Sequence, residues 1–101
     1  MDKPSLFFSD KKNDKIAIES LSMDLLRVAL GYHRNSVKMA QRFSEESLKR
    51  VSEINKSKVK PYFAKILEQI PNSLESSNID KKAEDALMYS VLCKNYAKKF
   101  M

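Results

Sequence analysis

The chain has 101 residues, 43% of them apolar and 32% charged, with one glycine, three prolines, one cysteine, one histidine and a formal net charge of +6. That length supports one domain able to bury a core, and so few turn-forming residues exclude a β-sandwich, whose many short strands need many turns. A single cysteine excludes an internal disulfide, and one His with one Cys leaves no ligand set at zinc-binding spacing, so neither a metal nor another cofactor is expected.

Residues 1–13 read as an N-terminal arm ahead of a single helical domain over 14–101. Its apolar cluster Leu6, Phe7 and Phe8 is too short for a signal-peptide core and acids flank it, so a cytoplasmic protein is expected. Asn13 or Asp14 is the expected cap of the first helix.

In the stretch from Ile16 to Tyr32, Ile18, Leu21, Leu25, Val28 and Tyr32 recur at helical spacing and form one apolar stripe. Ile16, Met23, Leu26 and Leu30 form a second on nearly the opposite side, leaving Ser20, Asp24 and Arg27 as a narrow polar wedge. A helix apolar on both flanks packs between neighbours, and its charges and length exclude a membrane span. Gly31 is the expected end of this helix.

The second helix, about 35–55, carries Val37, Ala40, Phe43, Ser47, Val51 and Ile54 on one face, with Ser36 as its cap. The third, about 58–70, buries Val59, Phe63, Ile66, Leu67 and Ile70; Pro61 is tolerated in its first turn, and Pro71 should end it. Ser77 and Asp80 have capping-box spacing ahead of the last helix, about 79–99. There Ala83, Ala86, Leu87, Val91, Cys93 and Ala97 are assigned to the core. The expected fold is therefore an all-α, single four-helix bundle with short connections.

In the last helix Met88, Tyr89, Leu92 and Tyr96 fall outside the core arc. Tyr and Met are enriched at interfaces, so these four, with Phe7 and Phe8, are the expected self-association surface of a homo-oligomer, a dimer in the simplest case. No glycine-rich loop exists to cradle a nucleotide, and no nucleophile has a neighbouring base, so a non-enzymatic interaction module without a small-molecule substrate is the leading expectation.

The alternative is nucleic-acid binding, because Lys and Arg outnumber acids by four over 35–60 and by three over 81–101. Leu30, Gly31, Tyr32, Ser36 and Val37 resemble the turn of a helix-turn-helix DNA-binding unit: an apolar residue and glycine close one helix, an apolar plug fills the corner, and a Ser before a Val opens the next. That resemblance implies that Arg34, Asn35, Ser36, Lys38 and Arg42 face the groove. Lys56, Lys58, Lys60, Lys94, Lys98 and Lys99 are the remaining candidates for phosphate contact. Arg27 and His33, six residues apart, also resemble the arginine–histidine pattern of HEPN-type helical ribonucleases, although on an unbroken helix the two side chains point about 120° apart.

Overall fold

A computed structural model describes residues 10–101, and among these the chain forms four α-helices and no strand. They are α1 (Asp10–His33), α2 (Val37–Glu53), α3 (Pro61–Leu74) and α4 (Ile79–Phe100), with a 3-10 turn at Lys56–Lys58 ahead of α3. The all-α four-helix bundle read from the sequence is the fold observed. Neighbouring helices run antiparallel: α1 lies between α2 and α4, and α3 joins α2 and α4 diagonally across the core from α1. No described helix is long and apolar enough to cross a membrane.

The first stripe of α1 is the centre of the core, with Ile18, Leu21, Leu25 and Val28 fully buried and Tyr32 nearly so. Phe63, Leu67 and Ile70 of α3 meet it from across the bundle, and Ala86, Cys93 and Ala97 of α4 close it. Small residues line the α1–α4 seam. They let the backbones approach closely enough for Ser22 Oγ to donate to the Ser90 carbonyl at 2.8 Å, so a buried hydroxyl is satisfied across the seam.

Several element ends differ from expectation. Helix α1 begins at Asp10, which places Asn13 and Asp14 inside it, and continues two residues past Gly31. The left-handed residue is Asn35, with φ 58°. Ser36 N–H donates to the Gly31 carbonyl at 2.7 Å and Asn35 N–H to the Tyr32 carbonyl at 3.2 Å, the paired bonds of a Schellman cap. Gly31 is needed for another reason: a Cβ there would lie 2.8 Å from the Ala40 backbone nitrogen, so glycine is what lets α2 cross so close.

Ser36 stands at the N-cap of α2 without donating or accepting a side-chain cap bond. Val37, at the first turn of α2, is exposed instead of facing the core. Helix α3 starts at Pro61 and runs through Pro71 to Leu74. Proline removes one hydrogen bond, and burial of Leu74 one turn later offsets that loss. The cap of α4 is Asn78, whose Oδ1 accepts from Lys81 N–H at 3.0 Å, and not Ser77.

The largest difference is in the phase of α4, where Ala86, Cys93 and Ala97 are buried as expected but the large residues change places. Tyr89 and Tyr96 are buried in the core, whereas Leu87 and Val91, assigned to the core from the sequence, are about half exposed. Burial of a tyrosine needs a partner for its hydroxyl. Tyr96 Oη accepts from Lys60 N–H at 2.8 Å, and its ring stacks on Phe63 with centroids 4.0 Å apart. Tyr89 Oη reaches Gln69 at 3.5 Å.

Candidate functional site

The expected self-association set is dismantled by that phase. Tyr89 and Tyr96 are interior, Leu92 is half-buried, and only Met88 of the four is freely exposed. Phe7 and Phe8 lie outside the described residues. A different apolar face is left uncovered by the described residues. On the outside of the α1–α4 pair, Met23, Leu26 and Leu30 of the second α1 stripe meet Ala83, Leu87 and Val91 of α4 along a shallow groove. Met23, Leu87 and Val91 are each 48–49% exposed.

The groove has two parts, of about 340 and 650 Å³, which meet at Leu26 and Leu87. Beyond the smaller part stand His33, Asp80 and Glu84; beyond the larger stand Lys15, Glu19, Lys94 and Lys98. One end is therefore acidic and the other basic. Both side chains that mark the middle come from the same level of the antiparallel pair, and α2 and α3 contribute nothing to the lining.

The segment that resembles a helix-turn-helix has another geometry. Gly31 touches Ala40, the Arg27 guanidinium lies 5.3 Å from the Phe43 ring centroid, and Arg50 Nε is 3.8 Å from Asp24. Those contacts advance along both helices in opposite directions, so α1 and α2 lie side by side as a hairpin. A helix-turn-helix unit instead sets its second helix steeply across the first. Arg34, Lys38 and Arg42 are exposed on the outside of this hairpin, Ser36 is half-buried in the turn, and Asn35 serves as the left-handed cap.

Arg27 and His33 lie on the unbroken α1 and turn to different neighbours, Arg27 to Asp24 and Phe43, His33 to the acidic end of the α1–α4 groove. They do not share a site. Asp24, sealed against α2, is the one buried carboxylate among the described residues; burial holds its pKa above the ordinary aspartate value, and Arg50 and Arg27 only partly draw it back. Cys93 is fully enclosed, and burial pushes its thiol up to about 12, which removes nucleophilic character. Among the described residues no group of three His, Cys, Asp or Glu side chains could hold a metal ion.

Apart from Lys94, which lines the α1–α4 groove, the candidate lysines fall into two sets. Arg34 and Lys38 stand at the end of the bundle where α1 finishes and α4 starts, while Lys98 and Lys99 stand at the other end, beside the start of α3. Lys60 joins the second set, because its backbone is tied to Tyr96 and its Nζ lies 4.9 Å from the Phe100 ring centroid. The 3-10 turn carrying Lys56 and Lys58 leads directly into it. Sequence reasoning named these lysines but missed their aromatic companions Tyr62 and Phe100, which a search for exposed aromatics beside Lys pairs would have found. No family model matches the chain, and neither a curated protein nor a solved structure matches it significantly.

Proposed function

We propose that the chain is a non-enzymatic interaction module that pairs with a second copy of itself through the outer groove of α1 and α4. One observation carries the reading: the charges at the two ends of the groove are placed symmetrically about its apolar middle. In α4, Asp80 lies seven residues before Leu87 and Lys94 seven residues after it. In α1, Glu19 lies seven before Leu26 and His33 seven after. Seven residues are two helical turns, about 10 Å, and return to nearly the same side of the helix.

Two copies laid face to face about a two-fold axis crossing the groove at Leu26 and Leu87 would be antiparallel. Lys94 of each would then oppose Asp80 of the other, and Glu19 would oppose His33, while the exposed Met23, Leu87 and Val91 would be covered. Such an isologous arrangement is the commonest way for a chain to pair with itself. The groove is about 27 Å long and two helices wide, so each copy would bury roughly 500 Å², the scale of a weak and reversible dimer. A cytoplasmic setting accords with the lone buried thiol.

Sedimentation equilibrium from low to high micromolar protein tests the proposal. The expected result is a reversible dimer that Leu87→Asp abolishes, that Lys94→Asp and Asp80→Lys each weaken, and that the double exchange restores. A strict monomer throughout the range overturns self-association. A dimer indifferent to both charge exchanges overturns the antiparallel register.

A further inference from the structure

We infer that the corner where α3 begins and α4 ends is a docking site for single-stranded nucleic acid. Four aromatic rings meet there. Phe63 and Tyr96 form a buried stack, and on this fixed base stand two outer rings, Tyr62 edge-on to Tyr96 at 6.0 Å and Phe100 at 5.0 Å from Tyr96. Tyr62 is 51% exposed. Tyr62 and Phe100 wall a cleft of about 570 Å³ completed by Leu92, Asn95, Lys98 and Lys99, with no acidic side chain in its lining.

Among the described residues no carboxylate pairs with Lys60, Lys98 or Lys99. Lys60 and Lys99 both place their ammonium groups near the Phe100 ring, at 4.9 and 5.5 Å from its centroid. Lysines gathered around the exposed Tyr62 ring match the chemistry of an unpaired strand, whose bases stack on rings while its phosphates neutralise lysines. A duplex keeps its base faces stacked on one another and offers only phosphates. A lipid surface offers headgroups but no planar partner for Tyr62.

This site is independent of the pairing groove in its aromatic residues and in Lys60 and Lys99; Lys98 alone borders both. Stacking on the exposed Tyr62 ring would make binding tolerant of base sequence.

The test is fluorescence anisotropy of a labelled oligo-dT strand of about a dozen bases titrated with the full chain. Binding should weaken about 20- to 50-fold when salt is raised fourfold, as three or four phosphate contacts require. Tyr62→Ala should weaken it about tenfold with the thermal melt unchanged. Lys60→Glu combined with Lys99→Glu should reduce both the affinity and its salt dependence. Three outcomes overturn the inference: undiminished binding by the Tyr62→Ala variant, a duplex of the same length bound as tightly as the strand, or binding to phosphatidylserine vesicles with none to the strand.

Discussion

The inner and outer faces of the α1–α4 pair are drawn from the same residue types, yet one is sealed and the other is bare. Leu21, Leu25 and Val28 on the inner face are inaccessible, while Met23, Leu87 and Val91 on the outer face keep about half their surface. Hydrophobicity does not separate them. What separates them is the set of residues that allow close approach or supply a partner on the inner side: Ala86, Cys93 and Ala97 are small enough for neighbours to come close, and the Tyr96 hydroxyl accepts from Lys60 N–H beside α3. On the outer face Ser22 and Ser90 lie on the floor of the groove, and among the described residues no helix packs over Met23, Leu87 and Val91.

The most direct way to break this comparison is to remove a side chain from each face. Phe63 is fully buried against Tyr96, so Phe63→Ala should lose about 3–5 kcal/mol of stability through lost burial and the cavity left behind. Leu87→Ser, at a half-exposed site, should cost the monomer only about 1 kcal/mol. Urea denaturation at low micromolar protein, where pairing is negligible, measures both. Comparable losses for the two variants would mean that the outer face is already sealed.

That contrast explains what could be read from the sequence. The α1 core stripe was legible because Ile18, Leu21, Leu25, Val28 and Tyr32 are large, apolar and evenly spaced, and α1 has polar Asp24 and Arg27 to mark its third side. In α4 both flanks are apolar, and although Ala86, Cys93 and Ala97 were rightly assigned to the core, the large aliphatics Leu87 and Val91 were added to them and the tyrosines left out. The informative signal was the small-residue series Ala86, Ser90, Cys93, Ala97, which marks where another helix approaches. Pro71 and Gly31 misled for a related reason. Local propensity reads both as stops, but the burial of Leu74 and the crossing of Ala40 over Gly31 are tertiary facts. The candidate lysines were legible as residues; the approach of Lys60 to Phe100 depends on the bond from Lys60 to Tyr96, which joins positions far apart in sequence.

A methyl group added where a seam is already closed sharpens the comparison at intermediate cost. Gly31→Ala raises helix propensity by about 1 kcal/mol, but its Cβ would sit 2.8 Å from the Ala40 nitrogen and 3.0 Å from the Ala40 Cα. Those are backbone atoms and cannot rotate aside, so α2 must shift as a whole. The expected net loss is about 1–3 kcal/mol, read from the same denaturation curves. An unchanged or raised stability would show that α2 can slide without penalty, and that the hairpin seam is looser than the inner α1–α4 face.

Sealing also acts on charge, and this gives the smallest effect. Asp24 is 7% exposed between α1 and α2, and burial raises its folded pKa above the ordinary value despite Arg50 and Arg27. A raised pKa means that the folded chain binds this proton more tightly than the unfolded chain does. The contribution is therefore fully present below the unfolded aspartate pKa and is lost as pH rises through the folded one. Asp85 runs the other way: a hydrogen bond from Ser73 at 2.7 Å, with Lys81 at 3.1 Å, holds it below the usual range, and its contribution is lost as pH falls. Subtracting the melting curves of wild type and Asp24→Asn cancels the Asp85 part and isolates Asp24. The asparagine variant should gain on wild type as pH is raised from below the ordinary aspartate value toward neutrality, and a difference that instead shrinks over that interval would mean that the two arginines outweigh burial at the α1–α2 seam.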